Sequence, residues 1–445
     1  MYTPRGPRET EVHVVDGVIT SLEPGGGAAH ARVVDATGKY VLPGAIDAHV
    51  HSRDPGFPEK EDFGSLTAAA AAGGVTTVLD MPNTVPAVDS AGVLEAKAAL
   101  ARAKAHVDFG LWGLIRSSSK ASDLEEMADA GAIGFKAYLG YAFSHGRKQV
   151  RYSPVLDDLD LEAPPDYGTL ARLAPVAAAL GLPIAVHAED PSVLAAFRRP
   201  LATYADLLES RPAEAEAVAV SAVAVIARES GARFHIAHLS SSSGLRVAEG
   251  ALRDGAPLSL ETCPSYLWLS DQDFPRVGNA MKMLPPVRTA ADREALVDGL
   301  SRAVLTVVAT DHAPHTDEEK AVDLADAAPG SPGVQTLYLS CLELAKRLGN
   351  VGLATRWVCE APAALAGLHE SKGAIAPGYD ADLVIVDPNR KSAVRPSLMR
   401  SRQRHGALEG KEFGFAIEQV YLRGEALSRT RPPTGRMVRP GRTGC

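Results

Sequence analysis

The strongest constraint on the fold of this chain is a rhythm. From about residue 44 onward, short apolar runs alternate with Ala/Leu/Glu-rich segments of helical character. The apolar runs are "GAIDAHV", "VTTVLDM", "VDFGLWGLI", "AIGFKAYLG", "PIAVHAE", "RFHIAHLS", "APLSLET" and "AVLTVVATD". Segments such as "GVLEAKAALARAK", "TLARLAPVAAALG" and "AEAEAVAVSAVAVIARES" separate or follow them. Most of the apolar runs are continuous, as in parallel strands whose outer face is covered by helices. Eight β/α units over about 270 residues fit an α/β chain built on a (β/α)₈ barrel of the TIM type, whose usual size is about 250 residues. Residues 44–372 are assigned to it.

Both ends fall outside the rhythm. Residues 1–43 carry "EVHVVDGVITSLEP" and "ARVVDATGKYVLP", and residues 373–445 carry "GAIAPGYDADLVIVDP" and "FGFAIEQVYLRGEAL". These read as short strands and turns, and the two ends are expected to meet in one small β-domain beside the barrel. The tail "RTRPPTGRMVRPGRTGC" reads as flexible. After the fourth apolar run comes a polar, Pro- and Asp-rich insertion, 144–168, expected as a loop over the barrel mouth.

Composition narrows the partners. The formal net charge is −8 and aromatics make up 5%, so neither a basic face nor a base-stacking platform for nucleic acid is expected. The longest apolar helical run, "AVAVSAVAVIA", is too short to span a bilayer, and no secretory leader is legible. Four cysteines, Cys263, Cys341, Cys359 and Cys445, form no CxxC pair. That pattern is neither a disulfide framework nor a thiolate metal site, and it reads as a cytoplasmic protein with reduced thiols.

In a barrel of this kind the C-terminal ends of the strands face the active site. Here those ends supply His49 and His51, then Lys136, His187, His238 and Asp311. Each has an ordinary structural explanation taken singly: a strand-end histidine is usually just hydrogen-bonded, and a lysine can snorkel to solvent. Those explanations would have to hold independently at five strand ends. Neutral imidazoles and a carboxylate converging on one mouth suit zinc or a similar divalent ion. His235 is expected to face the helices, out of phase with His238, and His312 is either a partner of the site or structural.

The motifs "DAHVH", "GFKAYLG", "VHAED", "HIAHLSS", "ETCPSYL" and "ATDHAPHT", in that order, resemble the cyclic amidohydrolases of the amidohydrolase superfamily: dihydroorotases, allantoinases, hydantoinases and dihydropyrimidinases. The resemblance implies two divalent metal ions, zinc by preference. His49 and His51 would bind one and His187 and His238 the other. Lys136, N6-carboxylated, would bridge them, with Asp311 completing the first site and acting as catalytic acid/base. It further implies a small cyclic amide or ureide as substrate and a homodimer or homotetramer.

"HSRDPG" and "MPNT" look most like dihydroorotase motifs, and "TDHAPHT" retains His315. By that resemblance Arg53, Asn83 and His315 would bind the ring carboxylate of dihydroorotate, with ring closure of carbamoyl-aspartate as the reverse reaction. An ion pair with Asp54 or Glu59 is the alternative role for Arg53. Ser265 stands where the family usually carries histidine, Leu284 where many bacterial dihydroorotases carry asparagine and Gln335 where dihydroorotases often carry glutamate, and "GFKAYLG" and "ETCP" also resemble allantoinase. Hydrolysis of another cyclic ureide, as by an allantoinase or hydantoinase, is therefore the alternative activity. A catalytically inactive scaffold is the alternative of a different class.

Overall fold

A computed structural model describes residues 1–3, 6–25, 32–152, 159–428 and 432–441. Among these, eight parallel strands form the wall of a barrel: β1 (Ala45–Val50), β2 (Val75–Asp80), β3 (Asp108–Leu111, resuming as Gly113–Ile115), β4 (Phe135–Tyr138), β5 (Ile184–His187), β6 (Phe234–Ile236), β7 (Leu258–Thr262) and β8 (Val307–Val308). The first half of β3 pairs with β2 and its second half with β4. The ring closes just past β8, where Val50 bridges His312 in parallel and the His51 amide donates to the His312 carbonyl at 2.8 Å. The fold is a (β/α)₈ barrel carrying a small β-sheet built from both ends of the chain.

Period-two alternation explains the continuous apolar runs. Ile46, Ala48, Leu79, Trp112, Ala185 and Val307 point inward and fill the barrel. Their neighbours Ala45, Val78, Phe109, Phe135, Val186 and Phe234 point outward into the larger helix-covered core. The covering helices include α1 (Phe63–Ala72), α2 (Ala91–Lys104), α3 (Ala121–Ala130), α4 (Tyr167–Ala179), α5 (Ala213–Ser230), α6 (Ser242–Arg253), α7 (Ala290–Ser301) and α8 (Leu337–Arg347). Side chains at several starts fix where the chain turns into helix: Asp62 accepts from the Ser65 amide at 2.8 Å and Asp166 from the Thr169 amide at 2.7 Å.

The small sheet is antiparallel, with Tyr40–Pro43 and Ala416–Leu422 on either side of Leu383–Asp387 and Glu425–Ala426 at its far edge. Lys39 reaches Asp387 at 2.6 Å across a sequence separation of 348 residues. A buried charge cluster joins this sheet to the base of β3. Lys372 lies 2.9 Å from Asp108, 2.9 Å from Asp380 and 2.6 Å from Asp382, and Arg423 contacts Asp108 at 2.6 Å.

Two segments differ from expectation. Residues 432–441, read as flexible tail, run along the lower half of β3. The Phe109 amide donates to Arg436 at 2.9 Å and the Val438 amide to Phe109 at 2.8 Å. They occupy the edge left where β3 and β4 part, and Val438 joins the inward-facing cluster with Ile46 and Ile133. Residues 429–431 and 442–445, Cys445 included, lie outside the described residues. The mouth insertion contains a three-stranded antiparallel sheet of Tyr141–Ser144, Gln149–Tyr152 and Leu161–Glu162, with 153–158 outside the described residues.

Candidate active site

The six residues singled out at the strand ends lie together at the barrel mouth. His49 and His51, one strand repeat apart on β1, share a face, and their ring centroids are 5.3 Å apart. The Nε2 atoms of both point at Asp311 Oδ1, at 3.3 Å from His49 and 2.9 Å from His51. Across the mouth, His187 Nδ1 lies 3.1 Å from His238 Nε2. Ligand atoms of His49, His238 and Asp311 fall within 4.8 Å of one another. His238 and Asp311 both sit at positive φ, 39° and 48°, just past the ends of β6 and β8.

Electrostatics set each group's state. Burial alone would raise the Asp311 carboxyl, yet the rings of His49 and His51 hold it well below the usual carboxylate range. Burial, reinforced by His187 and Lys136, keeps His238 neutral. Lys136 is completely buried, and burial lowers its amine to about 8 against the pull of Glu261 and Asp311. Among the described residues its Nζ has no hydrogen-bond partner, and neither does His238 Nδ1.

A second layer of carboxylates orients the rings. Glu261 on β7 accepts from His49 Nδ1 at 2.8 Å and from the His238 amide at 3.0 Å. Glu189 meets His187 Nε2 at 2.9 Å and is held by Arg211 at 2.7 Å. His235 also faces inward, with Nε2 3.1 Å from Glu261, so the expectation that it faces the helices is overturned. Regular alternation ends at Ile236, and the left-handed turn at His238 brings both histidines to the same side. Sequence reasoning did not single out Glu261, Glu189 or Arg211. A charged residue inside an apolar strand, as in "LSLET", was the available signal.

Arg53, at φ 61°, lies at the mouth beside His315, with Nη2 3.1 Å from His315 Nε2 and Nε donating to the Pro314 carbonyl at 3.3 Å. The alternative ion pair does not form: Asp54 instead binds Lys104 at 2.7 Å. Among the described residues no carboxylate lies within ion-pairing distance of Arg53. His315 is further held by Glu319 at 3.3 Å, and burial lowers its ring to about 4. Asn83 Oδ1 lies 2.6 Å from His51 Nδ1, so its carboxamide oxygen orients a candidate ligand. His312 serves the fold: its Nδ1 accepts from the Gly333 amide at 3.0 Å and its Nε2 faces Glu61 at 3.3 Å. Gln335 points away from the mouth, to the Leu398 carbonyl and the Arg400 amide. Ser265, Cys263 and Tyr266 line a cavity beside Asp311. Cys263, Cys341 and Cys359 are buried and unbridged, and no described helix is long and apolar enough to cross a membrane.

Comparison with known proteins agrees with this geometry. The amidohydrolase family model matches residues 40–427. A protein of Streptomyces avermitilis named allantoinase is 37% identical over 446 residues, spanning 98% of this chain and 96% of its own. A protein of Pelotomaculum thermopropionicum named dihydroorotase is 34% identical, spanning 91% and 90%. Among solved structures, the L-hydantoinase (dihydropyrimidinase) from Arthrobacter aurescens superposes with a TM-score of 0.90 at 27% identity, covering 98% of this chain and 97% of its own. The chain belongs to the amidohydrolase family and is one of its cyclic amidohydrolases.

Proposed function

We propose that the protein hydrolyses, or closes in the reverse direction, a C–N bond of a cyclic ureide whose ring carries a carboxylate, as dihydroorotate does. The observation that carries this reading is the half-buried Arg53 guanidinium, which has no carboxylate partner among the described residues. Burial lowers its proton affinity. Asp311 and Glu319 act on it only from beyond ion-pairing distance, and a desolvated cation without a paired carboxylate is costly to keep. A guanidinium is also the side chain best shaped to bind a carboxylate through two parallel hydrogen bonds. His315, neutral at its lowered pKa, supplies a second polar contact. With the Asn83 oxygen occupied by His51, its amide hydrogens are the part left for substrate.

The donor set fits divalent ions, zinc by its imidazole and carboxylate character. His49, His51 and Asp311 would hold one, and His187 and His238 a second. Lys136, carboxylated on its amine by CO₂, would bridge them. The buried, unpartnered Lys136 Nζ and His238 Nδ1 support that fit. Bound ions supply Lewis-acid activation of water and of the ring carbonyl. Asp311, held ionised, accepts the attacking water's proton and delivers it to the leaving ring nitrogen. Glu261 and Glu189 fix the tautomers of His49 and His187. Retention of the full donor set supports an enzyme over an inert scaffold. The same reading takes it as a cytoplasmic homodimer or homotetramer.

A second reading, hydrolysis of an allantoin-type ring without a carboxylate, is supported by full-length relatives named allantoinase at 32–37% identity. Leu284, which departs from the pattern of many bacterial dihydroorotases, supports it too. The deciding experiment is a ring-opening and ring-closing assay of the metal-loaded protein. Dihydroorotate and carbamoyl-aspartate are run beside allantoin, hydantoin and dihydrouracil. Turnover of dihydroorotate that is lost in Arg53→Ala is expected. Preferential turnover of allantoin, insensitive to that substitution, would favour the second reading.

A further inference from the structure

Tyr138 carries a polar atom that the fold leaves unmatched inside the mouth. It ends β4 two positions after Lys136, so both side chains share the strand face turned into the barrel. The residue is 6% exposed, and its Oη has no hydrogen-bond partner among the described residues. Its ring is well fixed. Lys136 Nζ lies 5.1 Å from the centroid, the Tyr141 ring packs 5.7 Å away, and Ala87, Leu114 and Phe143 form an apolar bed with it.

A phenylalanine would fill the same space without burying an unpaired hydroxyl, and buried polar groups without partners are uncommon and call for an explanation. The surroundings of Oη supply one. Tyr138 shares the inward strand face of Lys136 at the mouth, and Asp311 and Arg53 are both among the charged groups within electrostatic reach of the phenol. A phenol is protonated at neutral pH, so its hydrogen is available to donate.

We propose that Tyr138 Oη donates a hydrogen bond to the ring carboxylate of the substrate, forming with Arg53 and His315 a three-point cradle for an anionic cyclic ureide. This inference rests on the carboxylate reading given above. It makes Tyr138 a specificity-determining residue, one that separates carboxylate-bearing rings from neutral rings of the same size.

The test is Tyr138→Phe, which removes the hydroxyl alone. The quantity to measure is the ratio of kcat/KM for dihydroorotate to kcat/KM for dihydrouracil, for metal-loaded wild type and variant. A hydrogen bond to a charged group predicts that this ratio falls about ten- to hundredfold. The fall should lie mainly in KM for the anionic ring, at unchanged metal content and with a Tm no lower than that of wild type. A wild-type preference for dihydroorotate that survives Tyr138→Phe would overturn the role of Tyr138 and leave the carboxylate reading standing. Equal losses on both rings together with lost metal would also overturn it, by showing a structural role. A wild-type enzyme with no preference for the anionic ring would refute the carboxylate reading itself, and this inference with it, before any variant is made.

Discussion

Glu261 and His49 are joined by a 2.8 Å hydrogen bond between a fully buried carboxylate and the ring Nδ1. With Nδ1 carrying the proton, Nε2 presents its lone pair toward Asp311. The same carboxylate takes the His238 amide and faces His235, so one side chain braces both halves of the proposed metal site. Burial alone would raise its pKa, but His49 and His235 hold it well below the ordinary range. Glu261→Gln is expected to weaken metal affinity about 10–100-fold, the usual effect of losing a carboxylate behind a ligating histidine. Metal titration against a competing chelator reads this directly. Wild-type affinity would show that His49 is oriented by something else.

Asp311→Asn keeps an oxygen facing His49 and His51 but can no longer shuttle a proton. Turnover should fall about 10²–10⁴-fold, while elemental analysis still finds metal bound. Near-normal kcat would remove Asp311 from the proton pathway.

Lys136→Ala should lose metal and activity together, because the substitution deletes the proposed bridge. Short-chain carboxylic acids, which can occupy the emptied space with a carboxylate, should restore part of both. Full metal content in the unrescued variant would rule out the bridging role.

The Lys372 cluster predicts a stability effect remote from the site. Removing this buried ammonium strands Asp108, Asp380 and Asp382 without their central cation. Lys372→Ala should cost about 3–5 kcal/mol in urea unfolding. Metal content at low temperature should be unaltered. A loss under about 1 kcal/mol would mean that Arg423 alone suffices.

His315 gives a pH dependence with a defined sign. Its folded pKa, lowered to about 4 by burial, lies below the unfolded value of about 6.5. The unfolded chain therefore binds the proton first. The contribution of His315 is fully present above about pH 6.5 and is lost as pH falls toward 4, up to about 3 kcal/mol. Unfolding of wild type and His315→Gln should diverge at neutral pH and converge near pH 4. A constant difference across that window would contradict the lowered pKa.

The barrel was legible because its strands are local and repetitive. Each apolar run from "GAIDAHV" to "AVLTVVATD" contains an observed strand, and the polar residues singled out at five of their C-terminal ends lie at the mouth, as the architecture requires. Relations that only folding creates were not legible. Glu261 acquires its role by meeting His49 and His235 across the barrel, at a sequence separation of 212 from the first. That His235 and His238 share the inner side depends on where β6 stops and the chain turns at His238, which alternation cannot report. Residues 432–441 hold a place in the wall through backbone hydrogen bonds, which leave little trace in side-chain pattern beyond Val438. The strands Tyr141–Ser144 and Gln149–Tyr152 were masked by the Pro- and Asp-rich stretch that follows them.

The pairing of Tyr40–Pro43 with Leu383–Asp387 bears on how the molecule assembles. Barrel neighbours such as β5 and β6 lie near one another in sequence, whereas this pairing joins segments separated by up to 348 residues. Closing so long a loop adds only a modest entropic cost to stability, because that cost grows slowly with length. Its influence on rate is greater, since non-local pairings form slowly. The sheet thus works as a late-setting clasp. Until Tyr40–Pro43 docks, one edge of Leu383–Asp387 stays open to other chains, so refolding yield should fall with protein concentration more steeply than refolding rate.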